Sequence, residues 1–147
     1  MASLWLLDPL SLTPPPAGKR KIGRSKPLID LAGLQKSVFD GELCDDDVWL
    51  ATQGCEKDLQ NLGWSIQDLL KCLQFLKPFQ PQGRHDFKES EWCQARNGEW
   101  FPCDVYRIPY DDQRRCRAPN GLEFYLKFSI NEDESLMLVM IRTHLSR

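Results

Sequence analysis

From Phe124 to Ile130 the chain alternates: Phe124, Leu126, Phe128 and Ile130 fall on one parity, Tyr125 and Lys127 on the other. A period of two marks a strand with one buried face. A second apolar-rich run, SLMLVMIRTH, follows the four residues Asn131 to Glu134, a common hairpin loop length. A symmetric loop predicts Ile130 opposite Ser135, Phe128 opposite Met137, Leu126 opposite Val139 and Phe124 opposite Ile141. Met137, Val139 and Ile141 then extend the apolar face. Tyr125, Lys127, Arg142 and His144 share the other face, beside Leu138 and Met140. In that register Tyr125 lies opposite Met140, and Arg142 is its diagonal neighbour at roughly 7–8 Å. A slip of one residue would part the two.

Upstream the period changes. Asp30 is expected to cap a helix through Leu31, Leu34 and Val38, with Gly41 ending it. Asp45-Asp46-Asp47 is expected to open a second helix, where acidic groups complement the dipole, with a stripe of Val48, Ala51, Cys55, Leu59 and Leu62 ended by Gly63. Ser65 with Asp68 reads as a near capping box for a third helix carrying Ile66, Leu69, Leu70, Leu73 and Leu76, with Pro78 just beyond. His85–Cys93 suits a first strand and Asn97-Gly98 is a strong turn signal. Trp100–Tyr110 reads as a second strand, interrupted by Pro102 and ended by Pro109, and residues 111–121 as a polar loop. Helices followed by strands predict an α+β fold, three N-terminal helices packed on one face of a mostly antiparallel sheet.

Residues 1–26 stand apart. Pro14-Pro15-Pro16 disfavours regular helix, and GKRKIGRSK (residues 18–26) gathers Lys19, Arg20, Lys21, Arg24 and Lys26. A disordered or extended basic segment is expected there, followed by one domain over 27–147. It is either a solvated linker or an arm that touches phosphates. The rest is acid-rich in its helical part, and the whole chain carries a net charge of −2. A nucleic-acid ligand would therefore need a local basic face. The apolar and charged fractions, 41% and 27%, are those of a soluble globular protein. Six cysteines form no Cys-x-x-Cys pair and no cluster with His85 or His144, which argues against a zinc module. MASLWLLDPLSL lacks a basic start and is broken by Asp8 and Pro9, so neither a signal peptide nor a membrane span is expected, and a cytoplasmic setting with reduced cysteines is.

Taken singly, Tyr125, Lys127 or Arg142 is most simply the solvated side of an amphipathic strand. Together with His144 they suit phosphodiester chemistry in RNA. The substrate's own 2′-hydroxyl can be the nucleophile, so the protein need supply only a base, an acid and cations for the phosphorane. No phosphate loop, His-Glu-x-x-His or Gly-x-Ser-x-Gly motif offers another chemistry. The acidic run at 42–47 already has a role at a helix start, so a metal-dependent hydrolase is the least favoured reading.

From about Lys26 to Arg147 the chain resembles the MqsR toxins, the motility quorum-sensing regulator family with a RelE-like ribonuclease fold. The resemblance rests on KPL (26–28), NLGWSIQDLL (61–70), DFKES (86–90), DVYRIPY (104–110), EFYLK (123–127) and LMLVMIR (136–142). It implies a sequence-selective, ribosome-independent mRNA endonuclease, held inactive by a cognate antitoxin protein and needing no cofactor or metal. The family's catalytic tyrosine falls on Tyr125. Its C-terminal lysine falls on Arg142, which keeps the charge but cannot give up a proton. The glutamine before Asp-Val-Tyr is Cys103 here. Another family lysine falls on Glu89, with Lys88 one position early and so on the opposite strand face unless a bulge intervenes. The expected catalytic residues are Tyr125, Arg142 and Lys88, with Lys127, Arg107 and His144 lining the RNA path. The alternative is a catalytically weakened relative that binds RNA or a protein partner without cutting.

Overall fold

The structure is a computed structural model and describes residues 3–131 together with the backbone of 136–144. The described residues form three α-helices: α1 (Leu31–Phe39), α2 (Gln53–Leu62) and α3 (Ile66–Gln74). Among the described residues six strands form one sheet: β1 (Val48–Leu50), β2 (Phe87–Gln94), β3 (Trp100–Asp111), β4 (Cys116–Arg117), β5 (Leu122–Ile130) and β6 (Leu136–His144). The order is β1-β6-β5-β3-β2, with β4 paired to β3. All pairings are antiparallel except β1 with β6. The fold is α+β.

The helix ends follow from local chemistry. The Asp30 carboxylate accepts from the Gly33 amide and caps α1. Ser65 and Asp68 form a reciprocal capping box on α3. Gly63 closes α2 at φ 69°, a left-handed conformation that a side chain would strain.

One expectation about the helices is corrected. Asp45–Asp47 is a single 3₁₀ turn, and Val48–Leu50 leaves it as strand β1. The second helix starts later, at Gln53, capped by Thr52. Val48 and Ala51 fit a helical stripe, but three apolar residues in a row fit a short strand equally well, and pairing with β6 decides. α1 and α3 pack on each other, the Gln35 amide donating to the carbonyls of Leu73 (3.0 Å) and Leu76 (2.8 Å). Their leucines join Tyr106, Ile108, Phe124, Leu126 and Phe128 in the main core. Cys55 and Leu59 of α2 belong to the same core, and its first turns also border a cleft with Glu91, Cys93 and Lys127.

Strand β3 runs unbroken through Pro102 and Pro109, contrary to the expected interruption. It pairs with β2 over residues 100–106 and with β5 over 104–110. Each proline therefore sits where β5 or β2, respectively, is not alongside, and the missing N–H costs no ladder bond there.

The N-terminal segment is laid against the body from Ser3 onward. Leu6 N donates to Leu28 O (2.8 Å) and Asp30 N to Leu4 O (2.7 Å). Ile22 N donates to Ser90 O and Trp92 N to Arg20 O, so residues 20–22 cover the outer edge of β2. An edge so covered is no longer a template for another chain. Among the described residues no helix is long and apolar enough to cross a membrane.

Candidate functional site

Asp104 explains why several separated motifs belong together. Its carboxylate is fully buried and accepts from Leu28 N, Ile29 N and Ser90 Oγ at 2.7–3.0 Å. The KPL, DFKES and DVYRIPY pieces thus meet at one hydrogen-bond node on the core side of the sheet. Burial pushes this carboxyl up to about 6, although the Ser90 hydroxyl and the two amides favour its charged form. The node is scaffold.

The other sheet face carries the polar residues. The expected hairpin register is corrected: Leu126 pairs with Ile141, Phe124 with Thr143 and Ile130 with Leu136. Glu132, Asp133, Glu134 and Ser135 lie outside the described residues. An irregularity after Lys127 leaves Val139 as the extra residue of β6, so the rows beyond it shift. Arg142 is consequently placed directly opposite Tyr125 rather than diagonal to it, and His144 opposite Glu123. Their side chains lie outside the described residues.

A second irregularity decides the fate of Lys88. Phe87 pairs with Tyr106 and Glu89 with Val105, so Lys88 is the extra residue of a bulge in β2. A bulge re-aims a side chain that alternation would send elsewhere. The Lys88 ammonium sits 5.0 Å from the centre of the Tyr125 ring, within cation–π range. It also lies 3.5 Å from the Glu89 carboxylate, which is itself 3.5 Å from Lys21.

Glu123 ties the row together. Its Oε1 takes the Arg107 guanidinium at 3.1 Å and is 3.4 Å from the Tyr125 hydroxyl, which donates to it. Arg107 pairs with Tyr125 across β3 and β5. Lys88, Arg107, Glu123 and Tyr125 therefore form one contiguous surface beside the position of Arg142. Alternation from Tyr125 back to Glu123 was the signal for this carboxylate, which sequence reasoning did not single out.

Lys127 does not belong to that open surface. Its ammonium is ion-paired with Glu91, and its side chain is 14% exposed. Burial alone would lower its pKa, but hydrogen bonds and charge from Glu91 and Cys93 outweigh that and hold it raised. A hydrogen bond from the Cys103 thiol, with Lys127 nearby, lowers Cys93 despite burial; burial and Cys93 push Cys103 upward. Cys103 is fully buried, and its thiol donates to the Phe101 carbonyl at 3.4 Å.

A cleft of about 700 Å³ adjoins the open row. Arg107 and Glu123 line its near side, Lys77, Arg84, His85 and Arg117 much of the remainder. These four residues were not singled out as site residues from the sequence, because three lie in the loop between α3 and β2 and the fourth on β4, with no motif joining them. Comparison with known proteins gives no match to a family model, to a curated protein or to a solved structure.

Proposed function

We propose that the chain is an mRNA endonuclease of the toxin type, of the RelE-like kind that its sequence resembles, restrained by a cognate antitoxin. The observation that carries this reading is the β2 bulge that sets the Lys88 ammonium on the Tyr125 ring. It restores a cation to the tyrosine of EFYLK, where an ungapped match left Glu89.

The 2′-oxygen of the substrate attacks the adjacent phosphorus, the bond to the 5′-oxygen breaks, and a 2′,3′-cyclic phosphate and a free 5′-hydroxyl result. Tyr125 hands a proton to the leaving oxygen, with Glu123 and Arg107 fixing its hydroxyl. His144, at the register position opposite Glu123, takes the proton of the 2′-hydroxyl. Lys88 and Arg142 stabilise the charge of the phosphorane. The nucleophile comes from the substrate and the charge stabilisation from side chains, so the scheme calls for no metal.

A second reading, binding without cleavage, is favoured by Glu89. Its carboxylate, 3.5 Å from Lys88, offsets part of the charge that a phosphate would meet. Incubating purified chain with a mixed RNA pool at low ionic strength, chelator present, and mapping the new ends separates the two. New ends bearing cyclic phosphates, absent with Tyr125→Phe, support the nuclease. Retention of RNA without new ends supports the binder, and equal cutting by Tyr125→Phe removes Tyr125 from the chemistry.

A further inference from the structure

The cleft beside the open row has a charge unlike that of the chain as a whole. Lys77, Arg84, Arg107 and Arg117 are set against Asp86 and Glu123, while the chain carries a net charge of −2. The two carboxylates are already committed. Asp86 accepts from the Lys77 amide at 2.7 Å and holds Arg117, which also donates to the Phe75 carbonyl at 2.7 Å. Glu123 holds Arg107. Arg117 is thereby a fixed part of the wall. The side chains of Lys77 and Arg84 are exposed and make no ion pair among the described residues. An unneutralised ammonium and guanidinium on the rim of a concave surface are what a polyanion would meet first.

The wall also has features suited to more than a free ion. His85 lines it with an aromatic ring held against that of Phe79, centroids 4.8 Å apart. Pro109, Pro119 and Gly121 also line it. Arg107 and Glu123 belong both to this cleft and to the Tyr125 row, so one surface runs from the cleft to the phenol without a break.

We infer that this cleft holds the single-stranded RNA flanking the cut: Lys77 and Arg84 take successive backbone phosphates, and the His85 ring packs against the nucleotide between them. The inference uses the nuclease reading only to place the cut at Tyr125; binding in the cleft stands or falls separately. It also redraws the RNA path, which passes Arg107 toward Arg84 and not toward Lys127, whose ammonium is occupied by Glu91.

The test uses the full chain and a fluorescent single-stranded oligonucleotide with 2′-O-methyl sugars, which cannot be cut. Anisotropy titrations over a salt series compare wild type with the double variant Lys77→Ala/Arg84→Ala and with His85→Ala. Both lysine and arginine are exposed, so the double variant keeps its fold, checked by circular dichroism. On single strands each phosphate contact contributes about 0.7 to the slope of log affinity against log salt, so the double variant is expected to lose about 1.4 of slope. Its affinity at low salt falls at least ~10-fold. His85→Ala weakens binding with the slope unchanged. Equal affinity and slope in the double variant, or no binding by wild type, overturns the inference. Tight, cleft-dependent binding by a chain that leaves ordinary RNA uncut keeps it and removes the nuclease. Unaltered cutting by a double variant with unaltered affinity does the reverse.

Discussion

Tyr125 and Lys127 are two residues apart on one strand and share one face, yet their surroundings are opposite. Around Tyr125, Lys88 and Arg107 keep side-chain exposures of 41% and 53%, and their partners leave them facing solvent. Around Lys127 the strand has closed over: Glu91 neutralises the ammonium, Cys93 and Cys103 fill the space beside it, and the start of α2 borders the cleft. Alternation says which side of a sheet a residue is on. It does not say which rows of that side stay open, because that depends on elements far away in sequence. A lysine in the closed row holds the structure together, and a lysine in the open row is available to a substrate.

The largest effect expected from this contrast is in the open row. Tyr125→Phe keeps the ring under Lys88 and removes only the hydroxyl. Single-turnover cleavage should fall by about 10²–10⁴-fold, the usual worth of a positioned proton donor, while the urea midpoint stays put. A variant that cuts normally would make the open row a surface like any other.

Lys127→Ala should show the reverse pattern. It leaves the Glu91 carboxylate largely buried without its counter-charge, a loss of about 3 kcal/mol in unfolding free energy. Cleavage per folded molecule should change little, since Lys127 lies off the proposed path. Lys127→Met with Glu91→Leu should recover most of the stability, because an apolar pair of similar size replaces a desolvated ion pair at little net cost. If Lys127→Ala instead abolishes cutting in a fully stable protein, the division between the rows is gone.

Asp104 underlies both rows and gives a control that should affect them equally. Its folded pKa of about 6 lies above the ordinary carboxylate value of about 3.9, so the folded state binds the proton more tightly than the unfolded one. The stability contributed by this group is full below about pH 4 and is lost as the pH rises through about 6, a change of roughly 3 kcal/mol. Urea midpoints measured between pH 4 and 7 should show this loss, and Asp104→Asn should flatten it over that window. A midpoint that rises across the window and is unaltered by Asp104→Asn would mean that the three donors keep this carboxylate ionised.

How much of this was legible in the sequence differs by element. The caps of α1 and α3 and the end of α2 were, because Asp30, Ser65 with Asp68, and Gly63 act within one turn of chain. Strand β1 was not. Val48-Trp49-Leu50 pairs with a strand nearly the whole domain away, and nothing local distinguishes that from a helix start. The prolines of β3 could be placed only once its one-sided pairings were known. The shared face of Tyr125 and Lys127 followed from parity, but the opposition of Tyr125 and Arg142 required the irregularity at Val139, which no residue type announces. The contact between Lys88 and Tyr125 was legible only conditionally. A one-residue offset has two outcomes, and the bulge that selects between them is set by the pairing of β2 with β3.

The smallest expected effect lies at the boundary between the two rows. Glu89 sits next to the bulge, its carboxylate 3.5 Å from both Lys88 and Lys21, with its side chain 28% exposed. A half-open carboxylate beside the proposed catalytic cation would subtract from the field that a phosphorane meets, while in partial contact with water the subtraction is modest. Glu89→Gln removes the charge and keeps the shape, so cleavage should rise about threefold, an increment of well under 1 kcal/mol. The gain should shrink as salt is raised, because screening already does in part what the substitution does. Lys88→Ala in the Glu89→Gln background should then lose the gain entirely. If Glu89→Gln speeds cutting equally with and without Lys88, the carboxylate acts on the substrate directly and the bulge is not what places the cation.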